Sequence, residues 1–350
     1  MRPSLFLLAA AGLAATAFLI APTGASGADR PETGGDAAPP RQTTYDVAHT
    51  LTVEGLPEGA HRVRMWFWMP EDRPGQRVLD FRVTEGPDGV RITRDPEYGR
   101  EWVYADAQVD GAGRARIATE FTLVREVVAG RADPALCGPL TDEHRRTFAR
   151  ELRLDEPHME VTPEMRKAAD AICGDETNVV RQARLIFDHV VSKTDHYSVF
   201  GASPQGKCLG DAQECMAGTG DCCTDQHALF IALARARGIP CRLFFGSRLQ
   251  PQNAGKEHDP GYRCWPNFFA PGIGWVPLDI SAADKAVSQG QSPDPWFGGL
   301  DDRRVEWAEG RSFRLEPAPD NAPDLVIRAW VEVDGKPYRD YARRLTFTTR

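Results

Sequence analysis

The sequence lacks any run of basic residues. Its 350 residues carry 42 Lys and Arg against 50 Asp and Glu, which gives a formal net charge of −8 and a pI near 5.6. Because phosphates and anionic lipids are bound by clustered cations, this balance argues against nucleic acid as a partner and against an electrostatic membrane anchor. The sequence also shows no internal repeat, and its one biased segment is residues 28–42.

The first 27 residues differ in composition from the rest. Arg2 precedes an apolar run over residues 5–21, and small residues follow at 25–28. This order is typical of a secretory signal peptide with its cleavage site, so we predict export to the periplasm, the cell surface or the exterior. The alternative is an uncleaved anchor, because the run approaches the length that spans a bilayer. After cleavage we expect no integral membrane domain.

The cysteines do not have the spacing of a zinc site. Cys208, Cys215, Cys222 and Cys223 crowd one stretch, but no pair shows the C-x2-C spacing of structural zinc sites. We therefore predict no metal site, and nothing in the sequence points to a cofactor. Since an exported chain is able to form disulfides, a bond between Cys208 and Cys215 is the more ordinary interpretation.

The N-terminal part of the mature chain has the pattern of a β-sandwich. Residues 28–42 are rich in Pro, Gly and Asp, which predicts a flexible linker. Over residues 43–130 apolar and polar residues alternate between Gly, Pro and Asp clusters. Period-two runs of this kind indicate antiparallel strands with one buried face, so we predict a β-sandwich there.

A further β element is predicted at the other end, over residues 301–350. Apolar residues alternate up to Asp334-Gly335, a dipeptide that is typical of a tight turn. Leu345 and Phe347 alternate again and are expected to form the return strand of a hairpin.

Helical spacing occupies the middle of the chain. Thr162 followed by Pro163 is typical of an N-cap with proline in the first turn, and Gly174 stands where the helix is expected to end. A second helix is predicted over residues 178–191, because apolar residues recur there on one face. These helices lead into a core that we predict to span residues 131–300.

The most informative segment of this core begins at Cys223. An apolar stripe follows the cysteine, Gly238 suits the position after a helix, and Pro240 prevents continuation, so a buried helix is predicted. A thiol at a helix start meets unpaired N–H groups and the positive end of the dipole, which favours the thiolate. The same N–H groups are able to hold an oxyanion during acyl transfer. Taken alone, the pattern also fits a packed or bridged cysteine.

Together with the following segments, this stretch resembles the transglutaminase-like superfamily. The shared pattern is a cysteine at a helix start, an arginine twelve residues on, and a turn before a strand; here these are Cys223, Arg235 and Gly238-Ile239-Pro240. The resemblance implies an α+β fold. Its papain/transglutaminase-like core has the helix that carries the cysteine packed on an antiparallel sheet, and an N-terminal β-sandwich precedes it.

The same resemblance implies two members of a Cys-His-Asp triad. Cys223 matches the nucleophile, and Asp279 matches the acid that follows a Gly-Trp-x-Pro turn at residues 274–277. The family's histidine lies two residues before a tryptophan, here Trp265, and that position is Arg263. Arginine stays protonated, with a pKa above about 12, so it holds a thiolate by charge but does not shuttle a proton.

Three explanations of Arg263 remain open from the sequence. His258, five residues earlier, is a candidate substitute base. Alternatively, Arg263 pairs with Asp279 in a core that only binds, or a histidine from elsewhere in the chain reaches the site.

The remaining histidines are given less weight. His227 lies four residues after Cys223 on the same helical face, and we interpret it as a packing residue that points along the helix and not across to a facing strand. His189 and His196 lie on or just after the second predicted helix. Tyr197 is considered as an oxyanion donor, although its spacing does not demand that role.

The resemblance implies thiol-dependent acyl transfer or hydrolysis at amide bonds of peptides or proteins, with Cys223 and Asp279 in the site. The expected partner is a peptide or protein substrate, and both hydrolysis and cross-linking fit. The alternative is a catalytically impaired or inactive binding protein, because Arg263 replaces the expected histidine.

Overall fold

Three antiparallel sheets and six α-helices make up the part of the chain that the computed structural model describes, residues 41–350 without 57, 111–112, 202–207, 324 and 327. The predicted signal peptide, and the predicted linker apart from residues 41 and 42, lie outside the described residues. The described residues belong to one compact unit. In these ranges no helix has both the length and the apolar character needed to cross a membrane.

The elements follow one another along the chain as strands, then helices, then mixed structure. The strands are β1 (Gln42–Val53), β2 (Ala60–Trp68), β3 (Gln76–Glu85), β4 (Arg91–Arg94), β5 (Glu101–Asp110), β6 (Ala115–Glu126), β7 (Cys241–Arg248), β8 (Arg263–Ala270), β9 (Gly274–Pro277), β10 (Arg304–Glu309), β11 (Ala329–Val333), β12 (Lys336–Pro337) and β13 (Ala342–Thr349). The helices are α1 (Asp142–Thr147), α2 (Pro163–Cys173), α3 (Val179–Lys193), α4 (Ala212–Met216), α5 (Cys223–Ala236) and α6 (Ile280–Ser288).

Two of the sheets form a β-sandwich, as predicted. Their strand orders are β13-β1-β6-β3 and β12-β11-β2-β5-β4. Alternate side chains of β1 are buried, which is the period of a strand with one face in the core. Across that core the ring centroids of His49 on β1 and Phe67 on β2 lie 4.4 Å apart.

The C-terminal strands complete both sheets of the sandwich. Asp334 and Gly335 form the predicted two-residue turn, with φ of 49° and 74°, and β12 returns along β11. The prediction that Leu345 and Phe347 form this return strand is wrong. They lie on β13, which pairs with β1 in the other sheet, because both side chains bury into the sandwich core there.

The third sheet, in the order β10-β7-β8-β9, carries the predicted core. Helix α5 packs against β7 and β8, and its side chains from Cys223 to Arg235 are buried. This confirms the papain/transglutaminase-like arrangement of a helix on an antiparallel sheet. Trp307 of β10 stacks on His49 of the sandwich, with ring centroids 4.5 Å apart. The boundaries proposed at residues 130 and 300 stay predictions, although β10 lies beyond the second.

Local signals located the helices that surround α5. The Thr162 side chain accepts the Met165 N–H at the start of α2, and Gly174 ends that helix with a φ of 52°. Asn178 caps α3 in the same way. Both helices pack on α5, the helix that carries Cys223, so their capping residues help to define the surroundings of the cysteine.

Arg235 fixes the far end of α5. Its buried guanidinium donates to the carbonyl groups of Glu151 (2.9 Å) and Cys241 (3.2 Å) and to the Glu156 carboxylate (2.6 Å). Arg235, the arginine of the sequence pattern, therefore ties α5 to β7 and to the loop that carries Glu151 and Glu156.

Candidate active site

Cys223 is the first residue of α5, and its side chain is buried. The Asp225 carboxylate shapes this helix start by accepting N–H groups from Gly210 (2.9 Å), Asp211 (3.1 Å) and Cys222 (3.3 Å). The first N–H groups of a helix have no carbonyl partner within it, so the sulfur lies at the positive end of the helix dipole.

The surroundings of Cys223 favour its thiolate. A hydrogen bond with the Cys264 thiol is the largest influence and lowers the pKa of Cys223. Burial acts in the opposite direction, whereas a hydrogen bond with His196 and the proximity of His227 and Arg263 lower the pKa further, well below its ordinary value. Burial raises the pKa of Cys264, so Cys223 is the thiol of this pair that ionises.

His227 connects the helix to the facing strand. Its Nδ1 lies 3.2 Å from the Cys264 sulfur, and its Nε2 accepts the Ile280 N–H at 3.0 Å. The expectation that His227 points only along its helix is therefore wrong, because β8 packs directly on this turn of α5. With Nε2 accepting, the neutral ring carries its proton on Nδ1 and donates to Cys264. Burial lowers the pKa of His227, which keeps the ring neutral.

Asp279 caps α6 and faces His227. Its Oδ1 accepts the Ala282 N–H at 2.9 Å and lies 3.7 Å from His227 Nε2, which is too long for a hydrogen bond. Its Oδ2 accepts from Arg304 at 2.7 Å, and Arg248 lies 3.6 Å away. Burial alone would raise the pKa of Asp279, but the two guanidinium charges outweigh burial and bring the pKa well below its usual range.

Arg263 does not pair with this carboxylate. It begins β8 with an exposed side chain, and its Nη1 donates to the Tyr262 carbonyl at 2.7 Å. Among the residues that the structure describes, the ion pairs of Asp279 are with Arg304 and Arg248, and the neutral His227 ring lies 3.7 Å away. Arg263 acts on Cys223 through its charge.

His258 is not brought to the thiol. Its backbone exchanges hydrogen bonds with Leu345 of β13 (3.1 and 2.9 Å), and its Nδ1 lies 3.1 Å from the Lys256 carbonyl. The ring packs against Phe347, also on β13. These contacts hold His258 beside the sandwich.

His196 is the histidine whose side chain forms a hydrogen bond with Cys223. Its backbone N–H donates to Asp284 at 2.7 Å, and its Nδ1 lies 2.7 Å from Ser198 Oγ and accepts the Ser198 N–H at 3.2 Å. Because Ser198 occupies Nδ1, Nε2 is left for the Cys223 thiol. Sequence reasoning gave this residue little weight, since no spacing rule relates it to Cys223. Only the packing of α3 against α5 brings them together.

A cavity of about 270 Å³ opens beside His196 and Arg263. Tyr197, whose ring stacks on His196 with centroids 4.4 Å apart, lies close enough for Arg263 and Cys223 to act on its hydroxyl. Burial raises the pKa of Tyr197, so the hydroxyl stays protonated as a hydrogen-bond donor.

Known proteins share this architecture. Residues 166–280 match the family model of the transglutaminase-like superfamily. This part of the chain is a transglutaminase-like domain. Over 336 residues the chain is 25% identical to an uncharacterized protein of Haemophilus influenzae, covering 85% of this chain and 86% of that protein.

A solved structure shares this fold over most of the chain. The crystal structure of a candidate cysteine protease from Cytophaga hutchinsonii has a TM-score of 0.52 and 16% identity, over 88% of this chain and 98% of that chain. The periplasmic domain of TgpA from Pseudomonas aeruginosa has a TM-score of 0.32 and 17% identity, over 69% of this chain and 96% of that chain.

The cysteines of the transglutaminase-like domain are free thiols in this structure. The predicted disulfide between Cys208 and Cys215 is therefore wrong. The Cys208 thiol instead forms a hydrogen bond with the Cys222 thiol. The ligand atoms of Cys208, Cys222 and Asp225 lie within 4.8 Å of one another. Because Asp225 already accepts backbone N–H groups and the Cys222 thiol (3.1 Å), we interpret this group as part of the helix cap.

Proposed function

We propose that the chain is an exported, thiol-dependent enzyme that hydrolyses or transfers acyl groups at amide bonds of peptides or proteins. The observation that supports this best is the Cys223 thiol, which combines a helix N-terminus with hydrogen bonds to Cys264 and His196. Such surroundings are typical of reactive cysteines, whereas structural buried cysteines have raised pKa values. Export rests on the signal-like residues 1–27.

In this proposal His196 moves the proton. The ring does so in the tautomer whose Nδ1–H donates to Ser198 Oγ, 2.7 Å away, in place of accepting the Ser198 N–H. Nε2 is then free to take the thiol proton of Cys223, and the ring becomes an imidazolium. The thiolate attacks the carbonyl carbon, the C–N bond breaks, and Nε2–H protonates the leaving amine. Water or an acceptor amine then releases the acyl group, with His196 as the base. The first N–H groups of α5 and the Tyr197 hydroxyl are the oxyanion donors in this proposal.

Asp279 and His227 support the thiolate from the interior and do not move the proton. Asp279 stays ionised beside His227, and His227 donates to Cys264, which in turn bonds to Cys223. This chain of polar groups orients the Cys264 thiol toward the nucleophile. Asp279 thus keeps the position of the family's acid but acts through two further residues.

The second candidate is a binding protein without turnover. Arg263 in the position of the family's histidine favours it. The hydrogen bond between His196 and Cys223 weighs against the binding protein, because this imidazole is able to transfer a proton and Arg263 is not.

Alkylation by iodoacetamide as a function of pH separates the two candidates. We expect Cys223 to react well below pH 8.5, the pKa of an ordinary thiol, because its pKa is lowered. Cys223→Ala is the control that assigns the labelled site. Release of amines from denatured casein should disappear in Cys223→Ala and fall strongly in His196→Ala. A thiol that titrates like free cysteine, together with no amine release, supports the binding protein.

A further inference from the structure

The cavity beside His196 is lined by positive charge. Arg248, Arg263 and Lys285 line it together with His196, and among the described residues of the lining none carries a carboxylate. The whole chain has a net charge of −8. A cationic cavity next to the thiol is therefore a local exception to the charge of the protein.

The carboxylates behind the cavity are already neutralised. Arg304 donates to Asp279 at 2.7 Å and to Asp301 at 3.2 Å. Arg248 lies 3.6 Å from Asp279 and 3.9 Å from Asp301. Two guanidinium groups thus balance two carboxylates, and this group contributes no net negative charge to the cavity.

Arg263 and Lys285 are the remaining cations among the described residues that line the cavity. Within the described residues neither forms an ion pair, and both side chains are exposed. Asp284, next to Lys285 in sequence, is buried and accepts the His196 N–H at 2.7 Å. Two cations therefore remain for a ligand that enters the cavity.

We propose that this cavity binds a carboxylate of the substrate, so that the preferred substrate is an acidic peptide. The carboxylate belongs to an acidic side chain or to a free C-terminus close to the attacked amide. Arg263 presents a planar set of N–H donors that matches a carboxylate, and Lys285 adds a second charge. Attraction is stronger in a partly enclosed cavity than on an open surface. This inference rests on the proposed function, because the cavity positions a substrate only if Cys223 is the nucleophile.

Peptide binding to the Cys223→Ala variant tests this without turnover. Isothermal titration compares acetyl-triglutamate amide, acetyl-triglutamine amide and acetyl-triglutamine with a free carboxylate. We expect the acidic side chains or the free C-terminus to bind about tenfold more tightly than the neutral peptide, and the difference to shrink with salt. Arg263→Gln and Lys285→Gln, added separately, should each reduce that preference severalfold.

Arg77→Gln, an exposed change of the same charge on β3, should leave the preference intact. Equal binding of all three peptides, or an equal loss in Arg77→Gln, overturns the inference. If the free C-terminus alone is preferred, the carboxylate is the terminal one; if triglutamate amide is preferred, it is a side chain. A thiol with ordinary iodoacetamide reactivity would contradict the proposed enzyme, whereas a reactive thiol without acidic preference contradicts only the cavity's role.

Discussion

The two sides of the Cys223 sulfur contain the same residue type in different roles. On the interior side His227 is fully buried, and its Nε2 accepts a backbone N–H that fixes the tautomer. On the cavity side His196 lines an open cavity, and its Nδ1 faces the hydroxyl of Ser198. His196 also accepts a backbone N–H, from Ser198, so the two rings differ in exposure. His196 is open to the cavity, whereas His227 is enclosed and both of its ring nitrogens are bonded in the interior.

This difference assigns a role to each side. In the proposed mechanism the interior side holds the Cys264 thiol, the largest influence that lowers the pKa of Cys223, and the cavity side holds the imidazole that exchanges a proton with the substrate. Histidine position along the helix or strand does not decide which is which. Exposure to the cavity does.

The largest effect is expected from His196→Ala. Loss of the proton-transferring group should lower amine release from casein by roughly 100 to 10,000-fold. His227→Ala is the comparison, and its loss should be recovered mostly at pH 9, because high pH ionises Cys223 without help from the interior. His196→Ala should not recover at pH 9. Recovery of both variants would remove the distinction between the two sides.

A large stability loss is expected from Asp279→Asn. The variant keeps the helix cap but leaves buried Arg304 without its closest charge partner, which should cost about 3 kcal/mol in urea unfolding at pH 7. Because the folded pKa of Asp279 is below its unfolded value of about 3.9, the contribution is complete above that pH and declines as pH falls further. The exposed change Asp46→Asn should cost under about 1 kcal/mol.

A smaller effect is expected from Cys264→Ala. Removal of this donor should raise the pKa of Cys223, so that the rise of iodoacetamide labelling with pH moves to higher pH. Cys241→Ala, a buried cysteine on the neighbouring strand, should leave the labelling profile unchanged. Identical profiles for both variants would exclude the interior side as a source of the low pKa.

The smallest effect is expected from Arg263→Gln. Its exposed charge is screened by solvent, so labelling of Cys223 at pH 7 should slow only about threefold. The difference from wild type should vanish in 1 M salt, where charges are screened within a few ångströms. A loss as large as that of His196→Ala would assign the catalytic role to Arg263 instead.

Parts of this architecture were readable in the sequence because they depend on near neighbours. Thr162 and Gly174 mark the ends of α2, and the alternation in β1 gives its buried face. The same reasoning failed for Leu345 and Phe347, since alternation identifies a strand but not its partner. It also failed for His227, whose contact with Cys264 depends on how closely β8 packs on α5.

The sequence by itself determined the helix that begins at Cys223, the acid at Asp279 and the absence of a histidine at position 263. These follow from local patterns and from the family resemblance. Only the tertiary structure decided which histidine lies beside the sulfur. His196 and Cys223 reside on segments whose distance is set by helix packing, and packing is a property of whole surfaces that no short pattern of residues encodes.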